Sequence, residues 1–296
     1  MGNTAEVTLI GGTSEIQELA ERRLQTLEQL WSRFIPTSDI SRLNTSRGEP
    51  THVHRDTVTL VRYLVAAHEH TNGNFDPSLL PALVTLGYGT SMTNASMSTT
   101  LSAHSPISEP ISSTRIDVAE CVVQLPAGIT LDPGGLGKGL AADMVANELI
   151  ESGADGACVN VGGDLRCVGR GPNNDAWDID IESPFDATII VAKLTVRNGG
   201  VATSSTRAKR WHTRRGENHH VISPTTHLPL VEDAESPVQV TVIGSEAVWA
   251  EIFATATLVA GATEGLNLAQ QSQLGTLVML NNGKMVANAH WKEFLR

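Results

Sequence analysis

The order of apolar and polar positions divides the chain into stretches of period two and stretches of helical period. Residues 6–10 alternate and predict a short strand, which Gly11-Gly12 ends. Ser14 is an N-cap residue type. After it, Leu19, Leu24, Leu27, Leu30, Trp31 and Phe34 recur at helical spacing and predict a helix to about residue 34. Residues 34–44 then turn at Pro36 and read as a polar loop with one arginine. Residues 56–71 predict a second amphipathic helix, with Val58, Leu60, Val61, Leu64 and Val65 inward. Asn72-Gly73 is a turn signal, and Asp76-Pro77 opens a short apolar helix through Leu80 and Leu83 that stops at Gly87-Tyr88-Gly89.

Residues 91–113 are rich in Ser, Thr, Asn and Met and read as a flexible surface loop or lid. Strands are predicted at 115–118 and 122–125, then a helix over 139–152. Further strands are expected at 157–161, 165–169, 177–182, 188–196 and 199–205. The last of these ends on three hydroxyls, Thr203-Ser204-Ser205. A strand at 238–244, helices at 248–260 and 265–271, and a hairpin across Asn281-Asn282-Gly283 complete the chain. Strands and helices mix without strict βαβ alternation, which predicts an α+β fold. No repeat or internal boundary is visible, so one domain over residues 1–296 is expected, with its loop at about 91–113.

Composition narrows the class. With 296 residues, 41% of them hydrophobic, the chain can bury a substantial core. A net charge of −11 argues against a general nucleic-acid binder, and 4% aromatic residues argue against a base-stacking platform. Three cysteines without a Cys-x-x-Cys pair support neither a disulfide framework nor a structural zinc site; Cys158 and Cys167 read as small core residues. The start, Met1-Gly2-Asn3-Thr4-Ala5-Glu6, has no signal-peptide pattern, and no apolar run approaches a membrane span of about 20 residues. The chain as given is therefore expected in the cytoplasm, an exported form remaining open if the sequence is trimmed.

The candidate chemistry centres on Asp132-Pro133-Gly134-Gly135-Leu136-Gly137-Lys138-Gly139. Glycines permit close backbone approach, a helix start offers N–H groups and positive dipole, and Lys138 adds a cation. This pattern suits either a phosphate-handling turn or a structural strand-to-helix turn. It is not a Walker loop, because Gly139 follows Lys138 where Ser or Thr is required, nor a dinucleotide fingerprint. Glu251 and Thr255 lie one turn apart on a predicted helix, as two hard oxygen ligands or as an incidental pair. His220 is either a general base or a packed residue. On an extended chain His219 and His220 point to opposite faces, so at most one addresses a given pocket. Asp164 after Gly162-Gly163 is either a turn cap or a polar group reaching a ligand. Arg207, Lys209, Arg210, Arg214 and Arg215 form a local basic cluster.

Eight segments taken in order resemble the FAD:protein FMN transferases, the ApbE-like flavin transferases. They are Met1-Gly2, Ser38-Asp39-Ile40-Ser41-Arg42-Leu43-Asn44, Gly73-Asn74-Phe75-Asp76-Pro77, the Asp132–Gly139 segment, Asn160-Val161-Gly162-Gly163-Asp164, Ala202-Thr203-Ser204-Ser205, His219-His220-Val221-Ile222-Ser223-Pro224, and Ala250-Glu251-Ile252-Phe253-Ala254-Thr255-Ala256. The resemblance implies a two-lobed α+β domain with mixed sheets and flanking helices, holding FAD as substrate with Mg2+. Carried over residue by residue, it places the FAD pyrophosphate at Asp132 and Lys138. The metal falls to the Gly135 carbonyl, Glu251 and Thr255. Contacts to the flavin nucleotide fall to Met1, Phe34, Asn74, Phe75 and Asp76, and the family's essential histidine falls on His220. The implied reaction is Mg-dependent FMN transfer to a threonine of an acceptor flavoprotein, with release of AMP.

The chain departs from the family pattern in places. Ser223 stands where Asp is usual, Thr226-His227 where Thr-Gly is usual, Glu251 where Asp is more common, and Phe34 where Tyr is common. The alternatives are hydrolysis of FAD to FMN and AMP, and non-catalytic FAD binding.

Overall fold

The computed structural model describes residues 4–99, 101, 107, 109–173, 175–213 and 216–295. Met1, Gly2, Arg214 and Arg215 fall outside them, as do residues 100, 102–106 and 108 of the predicted loop. In chain order the first elements are β1 (Ala5–Ile10), α1 (Ser14–Trp31), α2 (Asp39–Thr45), β2 (Thr51–His52), α3 (Arg55–His70) and α4 (Leu80–Thr85). Then come β3 (Arg115–Asp117), β4 (Val122–Gln124), α5 (Gly137–Glu151), β5 (Gly156–Val161), β6 (Asp164–Gly169), β7 (Trp177–Glu182), β8 (Ile190–Val196) and β9 (Gly199–Ser205). The last are β10 (Arg210–Thr213), β11 (Gly216–His219), β12 (Pro237–Gly244), α6 (Ala247–Ala260), α7 (Ala262–Gln271), β13 (Gly275–Leu280) and β14 (Met285–Ala287). Strands and helices are mixed, as the α+β expectation requires.

The chain divides into two compact units that interleave along the sequence. The first draws on residues 25–137 and 211–229, the second on 3–24, 138–210 and 230–296. The chain passes from one to the other between Gly137 and Lys138, inside the glycine-rich segment.

The second unit is built on an antiparallel sheet ordered β1-β5-β6-β9-β12-β13-β14. Alternation along its strands gives the sheet two faces. On one, Leu165, Cys167, Val201, Ile243 and Leu277 bury against the ribbon β7–β8 through Trp177, Ile181, Leu194 and Val196. On the other, α6 packs on β9 and β12. Helix α6 is apolar almost all round, with Val248, Ile252, Phe253 and Leu258 buried, so it sits inside the unit rather than on its surface.

The first unit gathers α2, α3 and α4 with the small sheet β2-β4-β3. Its core includes Trp31, Ile40, Leu43, Leu60, Leu64, Leu80, Leu131 and Leu136. Two expectations are corrected here. Helix α1 ends at Trp31, three residues early, as the chain turns through Ser32 toward Pro36. The expected loop over 34–44 contains α2, because Ser38 Oγ accepts from Ser41 N at 3.1 Å and caps a new helix. Strands β2, β10 and β11 are additional to the predicted set. Thr90, just before the predicted loop, bridges Ser98 within it, and Ile111–Ser113 forms a short 3-10 turn at its end. Among the described residues no helix is long and apolar enough to cross a membrane.

Candidate functional site

The glycine-rich segment starts as a capped turn. Asp132 Oδ1 accepts from Gly134 N at 2.9 Å and caps the 3-10 turn Pro133–Gly135, after which α5 begins at Gly137. None of Gly134, Gly135, Gly137 or Gly139 has a positive φ, so backbone freedom is not what these positions require. Space is. A Cβ on Gly135 would lie 2.7 Å from Phe75 Cε2. A Cβ on Gly139 would lie 2.5 Å from the Ala247 carbonyl oxygen, where the starts of α5 and α6 meet backbone to backbone.

In the first unit, Asn44 ties down the approach to the turn. Its Nδ2 donates to Leu131 O at 2.9 Å and its Oδ1 accepts from Leu131 N at 2.6 Å. Asp132 N donates to Pro77 O at 2.8 Å, joining the segment to the Asn74-Phe75-Asp76-Pro77 turn. Asp132 Oδ2 then meets Arg33 Nε at 3.2 Å. That guanidinium is buried over the rings of Phe34 and Tyr88, 4.2 and 4.7 Å from their centroids. Tyr88 stacks on Trp211 at 5.2 Å, and Trp211 Nε1 donates to Leu86 O at 2.7 Å. One carboxylate, one guanidinium and three aromatic rings thus share one place. Sequence reasoning reached Phe34 and Asp132 but missed Arg33, Tyr88 and Trp211, because Tyr88 and Trp211 lie far from Arg33 along the chain and join it only in the fold.

The remaining expected residues of this unit are more local. Phe75 is buried and packs on Gly135. Asn74 Nδ2 donates to Thr71 O at 3.0 Å, and Asp76 Oδ1 accepts from Ser78 N at 2.8 Å. His219 ends β11 and is buried; His220 follows it and is half-buried. The turn after His220 explains two departures. Ser223 Oγ accepts from Thr225 N and Thr226 N, at 3.2 and 3.3 Å, a capping role that an aspartate oxygen fills equally well. His227 adopts φ 58°, the left-handed conformation that glycine takes without strain.

The second unit holds the denser charge cluster. Lys138 Nζ is buried between the carboxylates of Asp164 and Glu251 and donates to both. Glu251 Oε2 also accepts from Gly139 N at 2.7 Å, and Asp164 Oδ1 accepts from Thr203 N at 3.2 Å. Burial pushes the Glu251 carboxyl up to about 7 against the pull of Lys138, and Asp164 adds to the rise. Burial opposes the Lys138 charge, but Asp164 and Glu251 override it and hold the ammonium above its usual range. Thr255, one turn on, shares a hydrogen bond of 3.0 Å with Ser204. Asp164 is therefore more than a turn residue. The hairpin β5–β6 delivers it to Lys138.

Helix α6 is aimed by a cap from another helix. Glu246, its N-cap, makes no side-chain cap bond. Instead Asp143 of α5 accepts from Ala247 N and Val248 N at 2.9 and 2.8 Å. Arg166 lies 3.4 Å from Asp143 and donates to Ser245 O at 2.6 Å. Burial raises the Asp143 carboxyl to about 6, against those two N–H bonds. This arrangement fixes where Glu251 and Thr255 project.

The donor set suits a hard divalent ion. Asp164 and Glu251 already gather around a cation, the Lys138 ammonium, and one turn along α6 from Glu251 the Thr255 hydroxyl pairs with that of Ser204 on β9. Among the described residues no group of three or more His, Cys, Asp and Glu assembles. Mg2+ typically takes one or two carboxylates and completes its shell with phosphate oxygens and water, so the set fits that ion.

A model of the ApbE family matches residues 1–280. The chain is 25% identical over 293 residues to the FAD:protein FMN transferase of Vibrio cholerae, covering 97% of this chain and 86% of that protein. It is 23% identical over 305 residues to the FAD:protein FMN transferase of Escherichia coli, covering 96% and 82%. Its fold is similar to that of the ApbE protein of Thermotoga maritima, with a TM-score of 0.82 at 22% identity over 99% of this chain and 95% of that one. The flavinyl transferase ApbE of Pseudomonas stutzeri gives a TM-score of 0.81 at 22% identity, covering 100% and 94%.

Proposed function

The chain belongs to the ApbE family, and from that premise we propose that it transfers FMN from FAD to the threonine hydroxyl of an acceptor flavoprotein, releasing AMP, with Mg2+. Support comes from the names of its relatives and from one observation above others: Lys138, Asp164 and Glu251 bury two carboxylates on a single ammonium. With both carboxylates ionised such a cluster carries net negative charge, which a divalent cation would offset. Glu251 and Thr255 would hold Mg2+, whose charge offsets that of the FAD pyrophosphate.

The chain's own residues supply the rest. Lys138 has two partners, so when Glu251 serves as a ligand the ammonium stays paired with Asp164 and remains beside the phosphates. The N–H groups at the start of α5 and the cap at Asp132 orient the pyrophosphate. Phe34 and Asp132, with Arg33 and Tyr88, bind and orient the flavin nucleotide. His220 accepts the proton of the attacking threonine. Ser223 keeps the turn after His220 without a carboxylate.

The test is incubation with FAD, Mg2+ and an FMN-accepting domain. The expected result is flavin fluorescence that follows the acceptor through a denaturing gel. AMP release without acceptor would show hydrolysis as the main reaction instead. His220→Ala is expected to abolish transfer while FAD still binds; retained transfer would remove His220 from its role.

A further inference from the structure

The hairpin that presents Asp164 also carries two cysteines opposite one another. Gly162 and Gly163 have φ of 64° and 96°, which makes a two-residue loop of the type that matches strand twist. The residues closing such a loop, Val161 and Asp164, form a hydrogen-bonded pair. Pairs alternate from there. Asn160 and Leu165 are non-hydrogen-bonded, Val159 and Arg166 hydrogen-bonded, and Cys158 and Cys167 non-hydrogen-bonded. At the far end Arg170 N donates to Asp155 O at 2.8 Å, which agrees with that phase. Non-hydrogen-bonded pairs bring side chains closest, with Cα atoms about 4.5 Å apart, inside the span a disulfide bridges. The two sulfurs lie 3.5 Å apart and both are thiols.

We infer that Cys158 and Cys167 form an oxidation site, a cross-strand dithiol that closes to a disulfide on reaction with a small disulfide oxidant such as oxidised glutathione. Cys158 is the entry point, because it is half-buried while Cys167 is fully buried against Trp177 and Leu194. The Cys167 thiol donates to the Cys158 sulfur, which favours the Cys158 thiolate and holds the Cys167 proton in place. The Cys158 thiolate attacks one sulfur of the oxidant and expels one small thiolate. Cys167 then gives up its proton and attacks the Cys158 sulfur, expelling the second. One oxidant disulfide and two protein thiols become one protein disulfide and two small thiols. The bridge clasps the hairpin behind Asp164 and fixes the register that delivers that carboxylate to Lys138.

The test uses the folded chain carrying Cys121→Ser, which leaves Cys158 and Cys167 as its only cysteines. After native incubation with oxidised glutathione and then denaturation, both thiols are expected to be lost to a maleimide label. The mass should fall by two hydrogens, with full recovery in dithiothreitol. Amide exchange over residues 160–165 should slow in the oxidised form. Adding Cys167→Ser should instead leave a stable glutathione adduct at Cys158. Two thiols that remain labelled, a stable adduct with both cysteines present, or bridges only between molecules would each overturn the assignment. If these variants fail to fold, the unsubstituted chain serves: a Cys158–Cys167 disulfide peptide after native oxidation supports it, and a bridge to Cys121 refutes it.

Discussion

One glycine-rich segment feeds two units whose electrostatics differ. On the side of the first unit, Asp132 meets a single buried guanidinium, and Arg33 is held by aromatic faces as well as by charge. The charges balance, and rings contribute the rest. On the side of the second unit, two carboxylates share one ammonium. That cluster has two carboxylates for one ammonium, and burial, with Asp164 adding to it, raises the Glu251 carboxyl against the pull of Lys138. The first arrangement suits a flat, neutral ring system with one anchoring charge. The second suits a divalent cation and phosphates. The same short motif therefore adjoins aromatic rings and a balanced ion pair at one end and a charge-unbalanced cluster at the other.

The largest effect should come from the unbalanced side. Lys138→Met leaves Asp164 and Glu251 buried without a counter-charge, and breaking a buried pair this way costs about 3–5 kcal/mol. Chemical denaturation should show that loss, together with absent flavin transfer. Arg33→Met should cost less, about 2 kcal/mol, because Asp132 keeps its N–H bond from Gly134 and methionine preserves contact with the rings. If the two substitutions cost the same, the contrast between the sides is lost.

A third test asks whether buried charge strains the second unit away from Lys138. Burial raises the Asp143 carboxyl from 3.8 to about 6. A raised carboxyl means the folded state holds its proton where the unfolded state has lost it. Its stabilising contribution is full below about pH 4 and is lost as the pH rises through about 6, by about 2–3 kcal/mol. Comparing unfolding free energies of the native protein and Asp143→Asn across that window isolates the contribution of this carboxyl. The variant should lose the slope. It should also be less stable at low pH by about 1 kcal/mol, since an amide nitrogen cannot accept from Ala247 or Val248. An unchanged slope would mean that Asp143 is not its source.

Much of this was legible in the pattern of residues, and what was not has physical causes. Helices α3 and α6 and strands β5, β6, β9 and β12 carry long apolar periods, and their existence follows from burial. Helix α2 inverts that logic. Asp39, Ser41 and Asn44 are polar and buried, each satisfied by hydrogen bonds, so a hydrophobic template finds a loop there. Asp39 alone receives His54 N at 2.7 Å and the Thr57 hydroxyl at 2.8 Å. Asp164 was ambiguous because its role depends on Lys138 and Glu251, far from it in sequence. Arg33, Tyr88 and Trp211 belong together only through long-range folding. The glycines were legible as important, but their reason was not. Gly139 is small because α6 starts against it, a demand no local pattern announces.

The smallest effect should have the opposite sign and belongs to the first unit, whose stored cost lies in backbone rather than charge. His227 holds φ 58° at the close of the turn where His227 N donates to Ser223 O at 2.8 Å. A residue with a Cβ loses about 1–2 kcal/mol in that region, whereas glycine loses flexibility on folding instead. His227→Gly should therefore stabilise the protein by up to about 1 kcal/mol, read as a higher denaturation midpoint with an unchanged slope. Because Ser223 keeps the cap, transfer activity is expected to persist in that variant. A stabilised protein that has lost transfer would show that the imidazole of His227, and not only the turn it closes, acts on the substrate. A destabilised one would place the strain elsewhere and return the first unit's cost to its charges.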